Sequence, residues 1–200
     1  MYWTIYGIVI FAGLAMMVRE GLWNNTIMLV NILISGLVAF GFYSPLVIYL
    51  DEMSDGEHTY WLDFPVLWAV FVVAMLICRA FTRAASKTRL RFKNPIDPVG
   101  GPLMGLFAAW VMAAFTTATL HTSPMAKDAF SAKLTWADAS TQSAIWSPDA
   151  KWLQFVESMS NSTALGSADT IEFDAKTFVE IYQDRREKLQ SIQSLIVSRG

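Results

Sequence analysis

The sequence is poor in charged side chains. Only 16% of its 200 residues are Asp, Glu, Lys or Arg, against roughly 25% in a typical soluble domain. In contrast, 54% are hydrophobic, and the net charge is −2. The few charges are also unevenly placed, because long stretches carry none. This composition indicates a membrane protein, and we expect no nucleic-acid partner.

Cysteine and histidine are equally scarce, which limits the chemistry. The single Cys78 cannot form a disulfide within the chain, and two histidines are too few to favour a zinc site. The sequence shows no Ser-His-Asp spacing, glycine-rich phosphate loop or His-Glu-x-x-His motif. We therefore predict that the protein is not an enzyme and has no catalytic residue, metal or cofactor.

An acidic loop provides the alternative to that prediction, since its carboxylates and one imidazole are of the types that bind metals. A solvated loop kept out of the cytoplasm explains the same side chains more simply. The residues are Asp51, Glu52, Asp55, Glu57, His58 and Asp63.

Four uncharged runs are suited to crossing a bilayer, which takes about 20 apolar residues, with tolerance down to about 17. The second and third runs show no polar face of the kind that a soluble helix has. The predicted fold class is all-α integral membrane: a four-helix transmembrane domain at 1–120, followed by a mostly helical extramembrane tail at 121–200. The predicted spans cover residues 1–18, 23–49, 64–81 and 99–120.

The tail contains two predicted amphipathic helices. Apolar residues recur at helical spacing in each, which gives one apolar stripe per helix. Such a stripe is typical of a helix that folds back on its own small domain, and it also suits a partner helix or one in the membrane interface. We expect these two helices to lie on the outer face of the bundle or to dock on a partner. The residues are Trp152, Phe155, Val156 and Met159 in the first helix, and Phe178, Tyr182, Leu189, Ile192 and Ile196 in the second, where Arg185 fills one slot.

Capping residues mark where three of the helices begin. Asp63 and Pro65 suit the first turn of the third span. Ser147, followed by Pro148, suits the start of the first tail helix, and Asp174 that of the second.

Basic residues concentrate in one short loop, which predicts the orientation of the chain. Lys and Arg near helix ends favour the cytoplasmic side, whereas the acidic loop contains neither. The N-terminus and the tail should therefore lie outside the cytoplasm. These cations could also bind anionic lipid, although orientation alone explains them more simply. The residues are Arg79, Arg83, Lys87, Arg89, Arg91 and Lys93.

Small and polar residues inside the spans predict how the helices pack. Gly101, Gly105 and Ala109 share one face of the fourth span, which permits close approach of another backbone. That neighbour is a helix of the same chain or, alternatively, of a second copy. Asn31 is expected to hydrogen-bond a neighbouring helix. The spans contain no Asp, Glu or Lys, which argues against a proton-coupled transporter.

Two motifs resemble those of a known family. The turn VREGLW contains Arg19 and Gly21, and the glycine-spaced helix GGPLMGLFAAW is preceded by Asp97. With four spans, these features resemble the colicin V production (CvpA-like) membrane proteins over about residues 1–115. In this chain Asn24 and Asn25 stand where the family tends to carry an acidic residue.

The resemblance implies a bacterial inner-membrane protein linked to colicin V production or export. Four apolar spans without catalytic residues and two amphipathic tail helices favour a non-enzymatic accessory or scaffold protein that supports secretion or envelope homeostasis. The expected partners are the lipid bilayer and, through the tail, a second copy or envelope and secretion proteins. A small oligomeric channel or transporter is the alternative. It would require several copies, because four spans per chain are few for a pore.

Overall fold

The computed structural model describes residues 2–18, 20–53, 61–86, 96–124, 147–161 and 173–197. These ranges contain six α-helices and one short 3₁₀ turn at Leu120–Thr122, and no strand. The all-helical class predicted from the sequence is confirmed. The helices are α1 (Tyr2–Met17), α2 (Leu22–Met53), α3 (Asp63–Ala85), α4 (Ile96–Thr119), α5 (Pro148–Ser160) and α6 (Ala175–Val197).

Three helical segments in the described ranges are long and apolar enough to cross a membrane: α2, α3, and α4 with its 3₁₀ extension. Helix α1 is also apolar but has only 16 residues. At 1.5 Å per residue it measures about 24 Å, shorter than the roughly 30 Å hydrocarbon core. The protein is therefore a membrane protein, and the fourth crossing stays a prediction.

The helices form a bundle with two distinct ends. Helix α1 packs on α4, and α2 packs on both α3 and α4. At one end, which we call the turn end, the start of α2 lies against the first turns of α4, and Trp23 of α2 donates to Ser86 after α3. At the other, the tail end, α5 and α6 contact the 3₁₀ turn after α4 or α4 itself.

An aromatic core joins the tail helices to the bundle. Phe115 is fully buried. Its ring stacks on Phe71 at a centroid distance of 4.2 Å and meets Trp152 of α5 edge-on at 5.4 Å. The Trp152 ring also occupies the space where a side chain on Gly36 would lie. Helix α5 is therefore inserted against the middle of α2, and tail and bundle share one core.

The apolar stripes of the tail pack on this core. In α5, Trp152 and Val156 are buried as expected, and so is Leu153, which the stripe omitted. Phe178 and Tyr182 of α6 are buried as well. The side chains of the predicted stripe positions Ile192 and Ile196 lie outside the part of the chain that the structure describes.

Two of the predicted caps need correction. Asp63 is the first residue of α3, which has no side-chain cap, because both carboxylate oxygens bind α6 instead. Ser147 precedes α5 but makes no side-chain cap bond, whereas Pro148 does occupy the first position of the helix. The Asp174 cap is confirmed, since its carboxylate accepts from Lys176 N–H and Thr177 N–H.

Candidate functional site

The turn end is held together by Asp97, which binds the start of another helix. Its Oδ1 atom accepts a hydrogen bond of 2.9 Å from the Leu22 N–H. That N–H has no partner within α2, because the first turn of a helix leaves its amides free. A Cβ on Gly21 would lie 3.1 Å from the same oxygen. Gly21 of the family-like turn thus permits this close contact, while Arg19 lies outside the described residues.

Asn25 connects three parts of the chain at the turn end. It is almost fully buried, and its Nδ2 donates to Gly101 O at 2.8 Å and to Met17 O at 3.0 Å. The end of α1, the first turn of α2 and the start of α4 are therefore linked by one side-chain amide. Two N–H groups and two acceptors satisfy each other here, as buried polar groups require.

The small-residue face of α4 is covered by α1 and the turn that follows it. A Cβ on Gly101 would lie 2.9 Å from Glu20 O, and one on Gly105 would lie 3.1 Å from Met17 Cβ. Ala109 similarly meets Gly13, where an added Cβ would be 2.9 Å from the Ala109 Cβ. In the structure, this face of α4 packs within the chain, against α1 and the turn that follows it.

A cavity of about 420 Å³, which we call the turn-end cavity, lies between α1, α2 and α3. It combines two basic side chains, Arg79 and Arg83, with one acid, Glu20. These arginines are the two described members of the predicted basic loop. Lys87, Arg89, Arg91 and Lys93 lie outside the described residues. The remaining lining residues are Met16, Met17, Asn24, Asn25, Ile27, Met28, Asn31, Thr82 and Ser86.

Asn31 forms part of the cavity wall and joins α2 to α3. Its Nδ2 donates to Thr82 Oγ1 at 3.3 Å. Its Oδ1 is buried and has no hydrogen-bond donor among the described residues. Because an unpaired buried carbonyl is unfavourable by about 1–3 kcal/mol, this oxygen is a candidate contact for a bound molecule.

At the tail end, Asp63 holds α6 against the bundle. Arg185 Nη1 lies 2.7 Å from Asp63 Oδ2, and the Tyr182 hydroxyl donates to Asp63 Oδ1 at 2.9 Å. The hydroxyls of Tyr182 and Tyr43 are 3.3 Å apart. Burial, with the charge of Asp63 nearby, raises the pKa of Tyr182 far above its ordinary value, so the hydroxyl remains a donor.

A second polar group fixes α5 and α6 to the end of α4. Asp149 accepts a hydrogen bond of 2.9 Å from the Tyr2 hydroxyl, and its other oxygen lies 3.0 Å from His121 Nε2. Arg186 Nη1 donates to His121 O at 2.9 Å. Burial lowers the pKa of the Arg186 guanidinium. We refer to these contacts, together with those of Asp63, as the tail lock.

Sequence reasoning missed the tail lock because its partners are far apart in the chain. Tyr2 and Asp149 are 147 positions apart, and Asp63 and Arg185 are 122 apart. No local spacing signals such pairs. The one available signal is that Tyr2, Asp63 and His121 all stand at predicted span ends on the same side of the membrane.

The structure describes only some of the residues of the acidic loop that could bind a metal. No group of three His, Cys, Asp or Glu side chains suited to a metal occurs in the described ranges. Asp51 and Glu52 lie in the last turn of α2, and Asp63 is bound to α6. Asp55, Glu57 and His58 lie outside the described residues.

The turn end and the small-residue face are the features that carried the family resemblance. The sequence matches the family described as colicin V production protein over residues 3–160. The chain belongs to this family. The family match ends at the last residue of α5, so it includes the tail helix that enters the core, whereas α6 lies beyond it. No curated protein and no solved structure gives a significant match to the chain.

Proposed function

We propose that this member of the colicin V production protein family is a non-enzymatic accessory or scaffold protein of the bacterial inner membrane. It supports production or export of colicin V-like products and envelope homeostasis by presenting its tail to envelope or secretion proteins. The family match supports the process. The packing of the tail on the bundle supports the proposal that the tail is the surface presented to partners.

The observation that carries the scaffold role is the packing of α6 against the bundle. Its inner face is held by the Asp63 and Arg185 contact and by buried Phe178. Its outer face exposes charged residues of both signs, Lys176 and Glu180 among them, beside a half-exposed Ile181. A fixed helix with a mixed polar and apolar face suits a protein partner, because little conformational freedom is lost on binding.

The proposed topology follows from the position of the basic residues at the end of α3. Arg79 and Arg83 lie at the turn end, whereas Asp63 and Asp149 lie at the tail end. With the basic end in the cytoplasm, residues 1–120 form the membrane domain, in which α1 is the fourth span. The N-terminus and residues 121–200 then face outward.

Site-specific photo-crosslinking in living cells tests the partner role. A photoreactive residue replaces Ile181 on the outer face of α6, and the matched control replaces Val73, which is exposed on the apolar face of α3. We expect discrete protein adducts from position 181 and none from position 73. Absence of any protein adduct from position 181 would remove the support for a scaffold role.

A secretion assay tests the process. A colicin V-producing strain that lacks its own family member is complemented with the full chain or with a chain ending at 161. If the tail presents a partner site, only the full chain restores export, measured as the growth-inhibition zone. Equal export from both chains, at equal membrane levels, would contradict the proposal.

A small oligomeric channel or transporter is the second candidate, favoured by the exposed surface of α3. Only 17% of the most apolar stretch of α3 is buried within the chain. The exposed surface of α3 is therefore available to a second copy as well as to lipid. Ion or solute flux through reconstituted vesicles, together with a defined oligomer in native lipid, would support it. A strictly monomeric species would count against it.

A further inference from the structure

The turn-end cavity has the composition of a lipid headgroup site. Its volume of about 420 Å³ falls within the roughly 300–1,000 Å³ of small-molecule sites. One part of the wall is polar and contains Asn24, Asn31 and Thr82. Another part is apolar and contains Met16, Ile27 and Met28. Met16 is 72% exposed on an apolar helix, so the cavity borders the surface that faces acyl chains.

The charges of the wall favour a single negative charge. Arg79 and Arg83 lie one turn apart on α3, and both are exposed. Neither guanidinium has a carboxylate partner among the described residues. The one acid of the wall, Glu20, already accepts a hydrogen bond of 2.7 Å from Asn24 Nδ2. Two cations and one anion leave one positive charge, which matches a phosphodiester.

The unpaired Asn31 oxygen specifies the rest of the ligand. Asn31 lies level with the arginines, because its amide binds Thr82, which stands between them in α3. Its Oδ1 accepts but cannot donate, so a hydroxyl or N–H of a bound molecule would satisfy it. A phosphodiester that also carries a hydroxyl provides both groups within the reach of one headgroup.

We propose that the turn-end cavity binds the headgroup of an anionic phospholipid with a hydroxylated headgroup, of the phosphatidylglycerol type. Arg79 and Arg83 bind the phosphate, and Asn31 accepts a hydrogen bond from the headgroup hydroxyl. The acyl chains lie along Met16 and Ile27. Basic pockets between transmembrane helices bind anionic headgroups in this way. The site goes beyond the scaffold role and does not depend on it.

Native mass spectrometry of the purified full chain tests the proposal directly. The protein is equilibrated with equal amounts of phosphatidylglycerol and phosphatidylethanolamine that have identical acyl chains. We expect one phosphatidylglycerol to be retained in preference. Each of Arg79→Gln and Arg83→Gln should weaken retention roughly fivefold, and the double variant roughly 30-fold. The control Lys176→Gln removes one charge from α6 and should retain the lipid as the wild type does.

Two further comparisons complete the test. One distinguishes a loss of lipid binding from a loss of folding, and the other distinguishes binding of a lipid from binding of a free phosphate ester. The double variant Arg79→Lys and Arg83→Lys keeps both charges and should keep most of the retention even if the Gln variants are unstable. Free glycerol phosphate, added to delipidated protein, should show no comparable binding. Equal retention of both lipids, full retention by the Gln double variant, or preferential binding of free glycerol phosphate would each overturn the proposal.

A comparison of two lipids that differ in the headgroup hydroxyl tests the role of Asn31. Phosphatidylmethanol has the same single charge as phosphatidylglycerol but no headgroup hydroxyl. The wild type should prefer phosphatidylglycerol about fivefold, as expected for one hydrogen bond to a buried acceptor. Asn31→Leu should abolish this preference while retaining phosphatidylmethanol. An unchanged preference in Asn31→Leu would exclude the assigned contact.

Discussion

Replacing Gly101 by alanine tests whether the small-residue face of α4 packs within the chain. The added Cβ would lie 2.9 Å from the backbone oxygen of Glu20, and a backbone atom cannot rotate away as a side chain can. The backbone oxygen of Gly101 also accepts the 2.8 Å hydrogen bond from Asn25. The substitution therefore disturbs both the α1–α2 turn and the amide that links three helices.

The expected loss of stability combines three contributions. Overpacking of a close contact destabilises by about 1–3 kcal/mol, and weakening of the Asn25 hydrogen bond adds about 0.5–1.5 kcal/mol. Alanine in place of glycine in a helix offsets about 0.5–1 kcal/mol. The net expectation is a decrease in the free energy of unfolding of about 2 kcal/mol. Gly41→Ala is the matched control, because its added Cβ would meet nothing within 4 Å.

The measurement is reversible unfolding of both variants in mixed micelles, followed by circular dichroism as the fraction of denaturing detergent increases. Gly101→Ala should unfold at a lower fraction than the wild type, and Gly41→Ala at the same or a higher fraction. If the two variants are equally stable, the contact with Glu20 does not exist in the membrane. If Gly101→Ala changes only the oligomeric state, this face is a seam between copies.

Three further predictions concern the tail. Gly36→Ala should displace the Trp152 ring and shift tryptophan fluorescence to longer wavelength, whereas the Gly41→Ala control should leave the spectrum unchanged. Asp63→Asn should weaken the contact with Arg185 and destabilise the packing of α6 on the bundle by about 1–3 kcal/mol, measured as faster proteolysis of the tail; an unchanged rate would refute this role. Hydrogen bonds from Thr177 hold the pKa of Asp174 below its ordinary value of 3.8, so the cap should be intact above that pH and lost as the pH falls through the lowered pKa. Asp174→Ala should abolish that pH dependence of α6 helicity, measured by circular dichroism, and a retained dependence would contradict the assignment.

The spans were predictable because a bilayer imposes a length and excludes charge. The predicted starts of the second and third spans, 23 and 64, lie within one residue of Leu22 and Asp63, where α2 and α3 begin. Both helices extend beyond the predicted ends of these spans, at 49 and 81. Helix α2 continues to Met53 and α3 to Ala85, because a charged residue ends a hydrophobic span but does not end a helix.

The contacts between tail and bundle were not predictable in the same way. The stripe in α5 correctly indicated that Trp152 is buried, but no local pattern indicated that Gly36 provides the space for its ring. Likewise, Asp63 has the sequence context of a helix cap, and only the packed structure shows that its oxygens bind Tyr182 and Arg185. Long-range pairs of this kind follow from helix packing and have no signature within one segment.

The orientation of the chain is the point on which the proposed envelope role depends most. Paired reporters fused after Gly200 measure it in intact cells: alkaline phosphatase, which is active only outside the cytoplasm, and a fluorescent protein that folds only inside it. An outward tail predicts high phosphatase activity and no fluorescence. Fluorescence without phosphatase activity would place α5 and α6 in the cytoplasm and contradict the proposed envelope role.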